Sequence, residues 1–332
     1  MKEKTPNSGL QISTNDRSIS PPRALRAGLS FVSRISPSLA AETASRLFLL
    51  VPRVPRPRNE AAAFLASGEA FTVPAGGRLL SAWSWGHGPT VVLAHGWGGR
   101  ATQMRAFVPP LVSAGYRAVI FDAPAHGFSP GLSTSLPAFA DAIAAVVRET
   151  DARGVVAHSM GGASTLLALA RGLSLSRAVL LGAPSNAEKI WNRFAAALGL
   201  DEAVAAGARR RLERRVGARF SDLNVSSLAS RITTPVLVVH DQDDAEIPWS
   251  CGEENARLVP GARLVTTSGL GHRLILRDPA VVDLTVRFLA EGIVPARCEA
   301  CHRPLGSAGT AALCETCVLG EELFDRKRRF AA

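Results

Sequence analysis

The chain has 332 residues, which is enough for one large domain with a full core and small additions. No stretch reaches the ~20 consecutive apolar residues of a membrane span, and the polar first thirty residues lack the apolar run of a secretory signal, which predicts a cytoplasmic protein. The net charge of +10, carried mostly by arginine, indicates either acidic partners or a solvated basic surface.

Residues 1–60 form a basic extension in which the first 36 residues are predicted to be disordered, because Lys, Asn, Ser, Pro and Arg dominate them. Ala40, Ala44, Leu47 and Leu50 then recur at helical spacing, which predicts one amphipathic helix from Pro37 to Leu50. This helix either packs on the body of the protein or contacts a membrane surface beside its arginines. Residues 51–58 alternate Pro and Arg and read as a stiff linker.

Residues 61–295 alternate between apolar β-branched runs and helical patterns, which predicts an α/β domain with a mainly parallel sheet covered by helices on both faces. The alternation pauses at about residues 185–230, where helices are predicted over Ala187–Leu198 and Ala203–Val216. We interpret this insertion after the strand Arg177–Leu181 as a short helical cap. The strands before and after the pause are expected at Leu79–Trp85, Thr90–Ala94, Arg117–Phe121, Gly154–Ala157, Arg177–Leu181, Thr234–His240 and Ala262–Thr267.

The turn around Ser159 has the pattern of a nucleophile elbow. Val155 and Val156 end a buried strand, Ser159 follows, and a helix-forming run begins at once. The positions two before and two after the serine must be small, and they hold Ala157 and Gly161. By itself, a serine beside glycines in a turn more often belongs to an ordinary turn without a catalytic role.

Four other strand ends carry polar residues, and in a parallel sheet these ends meet at one edge. The serine, the acidic group and the last histidine follow in the chain order expected of a hydrolytic triad. A histidine is needed because a serine hydroxyl does not attack an acyl carbon until its proton is taken. The motifs are His95-Gly96-Trp97, Asp122 to Gly127, Asp241 to Pro248 and Gly269-Leu270-Gly271-His272.

With these motifs in order, the sequence from roughly Phe71 to Leu289 resembles the α/β-hydrolase family. The resemblance implies its eight-stranded type of sheet, with Ser159 as nucleophile, His272 as base and Asp244 as the acid, although Asp243 competes for that last role. It also implies an oxyanion hole made by the backbone N–H groups of Trp97 and Met160. No cofactor is needed for this chemistry.

Several other polar residues in this region have simpler interpretations. His95 and His126 are expected to be structural hydrogen-bonding residues, and the side chain of His158 is expected to point away from the reaction. The five arginines between Arg209 and Arg215 in the cap either attract an anionic substrate or line a solvated helix face.

Residues 296–320 are predicted to form a zinc-ribbon-like module, followed by a basic tail over residues 321–332. Four thiolates in two Cys-x-x-Cys pairs satisfy a tetrahedral structural Zn²⁺, and a module this small needs the metal to fold. The segment from Cys298 to His302 also matches a c-type haem attachment pattern, but the absence of an export signal argues against haem and against disulfides. The four predicted ligands are Cys298, Cys301, Cys314 and Cys317, whereas Cys251 stands apart as a core residue.

Two functions from different classes remain. The first is a serine hydrolase that cleaves a small-molecule carboxylic ester or thioester, its acyl substrate possibly anionic, through an acyl-enzyme intermediate. The alternative is a catalytically weak hydrolase-like scaffold that binds a protein or a nucleic acid through its zinc module and basic tail.

Overall fold

The structure, a computed structural model, describes residues 22–52 and 59–294. Its centre is an eight-stranded sheet in the order β1-β2-β4-β3-β5-β6-β7-β8. Strand β2 pairs antiparallel with both β1 and β4, and all neighbours from β4 to β8 pair in parallel. The predicted mainly parallel sheet is confirmed, with an edge strand, β1, that the sequence patterns did not single out. The strands are β1 Glu69–Ala75, β2 Arg78–Trp85, β3 Thr90–Ala94, β4 Arg117–Phe121, β5 Gly154–His158, β6 Arg177–Leu181, β7 Val236–Asp241 and β8 Arg263–Thr267.

Helices cover both faces of this sheet. None of those within the described ranges combines the length and hydropathy that crossing a bilayer requires. The α-helices are α1 Arg23–Ile35, α2 Pro37–Leu49, α3 Glu60–Ala66, α4 Val108–Ser113, α5 Leu136–Glu149, α6 Met160–Ala170, α7 Ala187–Leu198, α8 Glu202–Val216, α9 Val225–Leu228, α10 Trp249–Leu258, α11 Gly271–Leu274 and α12 Pro279–Ala290. Short 3₁₀ segments lie at Ala101–Phe107, Phe220–Leu223 and Ala229–Arg231.

Each central strand contributes to two apolar cores, because successive side chains of a strand point to opposite faces. In β3, Val92 and Ala94 belong to the core beneath α5, α6 and the cap, whereas Val91 and Leu93 belong to the core beneath α4 and α12. All five residues of β3 are buried, and so are all five of β5. This double burial explains why the strands read as continuous apolar runs rather than alternating ones.

The N-terminal extension differs from its prediction, because residues 23–35 form α1 rather than a disordered segment. Leu25, Leu29 and Val32 recur at helical spacing, and this face is the one that is buried or half-buried. The one helix predicted in this extension, over Pro37–Leu50, is present as α2, capped by the Ser36 side chain. The two helices, which we call the N-terminal hairpin, pack on α8 and α7.

The predicted cap region consists of α7, α8 and α9, and its arginines are not simply a solvated face. Arg209 binds Glu188 and Glu213, while Arg215 binds Glu42 of α2 at 2.8 Å. Arg209 therefore joins α8 to α7 within the cap, and Arg215 joins the cap to the N-terminal hairpin. Arg210 and Arg214 remain exposed.

Several predictions concern segments outside the described residues. These are the N-terminal residues 1–21, the Pro-Arg linker from residue 53 to 58, the zinc-ribbon-like module with its four cysteines, and the basic tail. Within the described ranges no group of three His, Cys, Asp or Glu side chains has the spacing of a metal site. The zinc prediction therefore stays a prediction, while Cys251 is buried on α10 as expected.

Candidate active site

Ser159 sits in a strained turn between β5 and α6. Its backbone has φ 52° and ψ −121°, and its N–H donates to the Leu181 carbonyl at 2.9 Å. A non-glycine residue with positive φ persists only where its surroundings impose it. The surroundings of this turn are tightly packed: a Cβ at Gly161 would lie 2.5 Å from the His95 carbonyl oxygen, and one at Gly162 would lie 2.6 Å from the Ala183 methyl. The elbow that the sequence predicts is thus present.

Asp244 contacts His272, and Asp243 does not. The Asp244 Oδ2 atom lies 2.7 Å from Nδ1 of His272, and its Oδ1 atom accepts the backbone N–H groups of Glu246 and Ile247 at 2.9 and 2.8 Å. Asp243 instead accepts the Gly269 N–H at 2.7 Å. Asp244 and His272 are both buried.

The Asp244 carboxyl is held in its ionised form. Burial by itself raises its pKa, but hydrogen bonds from His240 and His272 outweigh that effect and bring the pKa well below its usual range. The His240 Nε2 atom lies 3.5 Å from Oδ2 of Asp244 and also binds the Ile247 carbonyl oxygen at 2.9 Å. An ionised carboxylate at Nδ1 keeps the proton on that nitrogen and leaves Nε2 free to accept another.

Ser159 and His272 lie at the same edge of the sheet. Leu181 accepts the Ser159 N–H, and the next residue, Gly182, passes so close that a Cβ there would lie 3.3 Å from both His272 Nδ1 and Asp244 Oδ2. Within the described residues, neither the Ser159 hydroxyl nor Nε2 of His272 has a hydrogen-bond partner. Catalytic hydrogen bonds often tighten only when substrate binds.

The loop after β3 passes directly over the elbow. A Cβ at Gly96 would lie 2.9 Å from the Ser159 Cβ, so only glycine lets the loop approach this closely. Among the described backbone hydrogen bonds, none uses the N–H of Trp97 or that of Met160. Both N–H groups therefore lack a backbone acceptor within the described residues, one in the loop directly after Gly96 and the other directly after Ser159.

Two histidines and one aspartate hold this loop in place, as the sequence predicted for the histidines. The His95 Nε2 atom accepts the Ala123 N–H, and the His126 Nε2 atom accepts the Gly98 N–H at 3.0 Å. Burial lowers the pKa of both imidazoles, that of His126 to about 4, so both stay neutral and accept these bonds. Asp122 accepts the N–H groups of Ala101 and Phe128, with its pKa raised by burial, and takes no part in the triad geometry.

His158 is the residue whose placement the sequence prediction got wrong. Its ring lies 4.5 Å from that of His272, centroid to centroid, and its Nε2 lies 2.8 Å from the His272 carbonyl oxygen. Burial and the nearby His272 lower its pKa to about 3, so a neutral Nε2–H donates to that carbonyl. Its position next to Ser159 was the signal available in the sequence, but only the fold brings residues 158 and 272 together.

The sequence model of the alpha/beta hydrolase family matches residues 91–284, more than half of the chain. This chain belongs to the alpha/beta hydrolase family. The match begins at β3 and ends inside α12, so the N-terminal hairpin lies outside it.

Among individual relatives, this hydrolase is similar to a non-heme chloroperoxidase of Streptomyces lividans, with 26% identity over 60% of this chain and 91% of that protein. It is also similar to a pimeloyl-acyl-carrier-protein methyl ester esterase of Aromatoleum aromaticum, with 26% identity over 61% of this chain and 99% of that protein. An esterase structure from Pyrococcus furiosus superimposes with a TM-score of 0.57 at 20% identity, covering 74% of this chain and 98% of that one, which supports the fold alone.

Proposed function

We propose that this alpha/beta hydrolase is a serine esterase or thioesterase that works through an acyl-enzyme intermediate. Ser159 is the nucleophile, His272 the general base and Asp244 the carboxylate that orients His272. The observation that carries the proposal is the buried Asp244–His272 pair beside a serine held at φ 52° on the same sheet edge. One relative is named as a methyl ester esterase, which is the same chemical class.

The chemistry follows from this arrangement. His272 Nε2 takes the Ser159 proton as the hydroxyl oxygen attacks the acyl carbon, and Asp244 stabilises the imidazolium that forms. The N–H groups of Trp97 and Met160 donate to the developing oxyanion, and the loss of one such donor typically costs about 2.7–4 kcal/mol. The intermediate collapses as His272 returns the proton to the leaving alcohol or thiol. Water, deprotonated by the same imidazole, then releases the acid and regenerates the hydroxyl of Ser159.

The decisive experiment is covalent labelling by a fluorophosphonate probe. We expect wild-type protein to be labelled and Ser159→Ala to be unlabelled. Ser164→Ala is the matched control, because Ser164 lies buried on α6 and its hydroxyl donates to the Leu136 carbonyl oxygen. Labelling that survives in Ser159→Ala would contradict the assignment of the nucleophile.

The same probe separates the enzyme from the scaffold alternative. A wild-type chain that folds but is not labelled, and that hydrolyses no acyl ester, thioester or amide in a panel of graded chain length, favours an interaction protein acting through the C-terminal segments. Among substrates that are turned over, faster hydrolysis of anionic esters would support the anionic class of substrate.

A further inference from the structure

The N-terminal hairpin carries an exposed apolar patch formed by Phe31, Ile35 and Leu39. These side chains are 64%, 70% and 56% exposed, and Phe31 and Ile35 lie one helical turn apart on α1. Leu39 lies in the first turn of α2, four residues after Ile35 and just past the break between the two helices at Ser36. Three large apolar side chains exposed within nine residues of chain, on the two sides of one inter-helix turn, indicate a surface that something covers.

The patch exists because the apolar arc of α1 is wider than the surface it buries. Leu29 is buried and Leu25 and Val32 are half-buried, but Phe31 and Ile35 continue the same arc into solvent. The opposite side of α1 carries serines and arginines, and the helix contains no acidic residue. This is the pattern of a helix that lies in a membrane interface with its apolar side down and its cations at the headgroup level.

The charge around the patch is strongly positive. The helices α1, α2 and α8 together hold nine arginines and three glutamates, and Asp201, which precedes α8 and accepts the hydroxyl of Ser33 on α1, adds one negative charge, which gives a net charge of +5. Two of these glutamates are already neutralised, because Glu42 pairs with Arg46 and Arg215 and Glu213 pairs with Arg209. Among described side chains, no acid pairs with the exposed Arg34, Arg210 or Arg214. The Arg211 guanidinium reaches Ser38, next to the patch, at 2.7 Å.

We propose that this surface docks the protein onto an anionic phospholipid bilayer, with Phe31, Ile35 and Leu39 inserted among the acyl chains and the arginines on the lipid headgroups. A second copy of the chain fits less well, because pairing the patches would bring two strongly positive surfaces together. A nucleic acid would use the arginines but leaves the three apolar side chains without a partner. An apolar anchor beside cations meets the two-signal requirement for stable interfacial binding.

Helix α2 connects the patch to the loop beside the candidate active site. Helix α2 starts at the patch and is about 20 Å long at 1.5 Å per residue. The chain beyond it reaches Val51, which donates to the Leu132 carbonyl, and Pro52, which lies beside Gly98 of the loop over Ser159. The docking proposal itself does not depend on the proposed esterase activity.

The test is co-sedimentation of the full chain with vesicles of phosphatidylcholine alone and of phosphatidylcholine mixed with phosphatidylglycerol. We expect binding to the mixed vesicles only, weakened by salt. The triple variant Phe31→Ser, Ile35→Ser, Leu39→Ser should bind at least about tenfold more weakly. The triple variant Arg34→Gln, Arg210→Gln, Arg214→Gln should bind several-fold more weakly. The matched control is Leu79→Ser, which removes a side chain of 57% exposure on β2 and should bind like the wild type.

Four outcomes overturn the proposal. The first is that the wild type binds neither vesicle. The second is that the triple serine variant binds like the wild type, which assigns the attraction to the basic residues 326–329. The third is that Leu79→Ser loses as much binding as the triple serine variant, and the fourth is that the triple serine variant changes only the oligomeric state. Because the three substituted side chains are exposed, their replacement should leave the melting temperature near that of the wild type, and this measurement separates lost binding from lost folding.

Discussion

At the scale of single residues, the candidate site depends on how many hydrogen bonds converge on one carboxylate. Asp244 accepts two backbone N–H groups and contacts two imidazoles, whereas Asp243, one position earlier, binds only the loop before His272. Because these bonds overcome the cost of burial, Asp244 stays charged beside the His272 ring, where the proposed mechanism forms an imidazolium. Burial keeps three other histidines neutral. His95 and His126 each accept a backbone N–H group, and His158 donates to the His272 carbonyl oxygen.

The first prediction separates the two adjacent aspartates. Asp244→Asn is expected to lower kcat for a reactive ester by about 10⁴-fold, because an amide at this position favours the wrong imidazole tautomer. Asp243→Asn is the matched control and should lose less than about tenfold, because its carboxylate only supports the loop. Steady-state kinetics on both purified variants measure this. Equal losses of kcat in the two variants would contradict the assignment of Asp244 as the acid.

The second prediction concerns acid. The pKa of His126 is lowered from 6.5 to about 4, so the folded state holds this ring neutral while the unfolded chain takes up a proton below pH 6.5. The unfolded state thus binds more protons in that window, and the free energy of unfolding falls as the pH drops from about 6.5 towards 4. From pH 6.5 to 5 this single group accounts for about 1.6 kcal/mol.

Urea unfolding at pH 7 and pH 5 tests this prediction. The wild type should lose stability on acidification, and His126→Gln should lose about 2 kcal/mol less between the same two pH values. His87→Gln is the control, because His87 is exposed, and its acid loss should match that of the wild type. The prediction is wrong if His126→Gln and the wild type lose the same amount.

At the scale of elements, the N-terminal hairpin is an integral part of the cap. Phe48 of α2 packs edge-on against Trp191 and Phe194 of α7, with ring centroids 5.3 and 5.0 Å away, and Phe220 lies 5.9 Å away. Aromatic pairs at these distances add to the free energy gained by burying their area. Residues outside the matched family region thus complete an apolar cluster that belongs to the family domain.

The third prediction follows from this cluster. Phe48→Ala is expected to lower the free energy of unfolding by roughly 2 kcal/mol, because it leaves a cavity among three aromatic rings. Leu50→Ala, at a residue with 48% exposure two positions later, should change it by less than about 0.5 kcal/mol. Chemical denaturation of both variants provides the comparison. A neutral Phe48→Ala would mean that α2 does not support the cap.

At the scale of the whole molecule, a family domain carries additions at both ends. The N-terminal addition is the hairpin, which packs on α7 and α8. The C-terminal addition, residues 296–320, is predicted only from the spacing of its four cysteines. Thiolates at that spacing still favour a structural zinc site, and its purpose in a hydrolase is a question for measurement.

The fourth prediction is a metal content of about one zinc per chain in protein purified under reducing conditions. A Cys298→Ser, Cys314→Ser double variant should lose the metal, because each pair then retains a single thiolate. Cys251→Ser should keep it, because Cys251 is buried on α10. Elemental analysis measures zinc directly. Metal-free wild-type protein, or a haem absorption spectrum, would refute the zinc prediction.

The sequence by itself determined the order of the central strands along the chain, the cap helices and the elbow at Ser159, because buried apolar runs, helical spacing and small residues around a serine are local signals. The tertiary structure alone decided three further points: Asp244 rather than Asp243 reaches His272, His158 packs on His272, and α1 folds onto α2 and the cap. Each of these depends on contacts between residues far apart in the chain or on a side-chain direction within a turn. A local pattern carries no information about such contacts, since parallel strands bring distant residues together only after the whole sheet has formed.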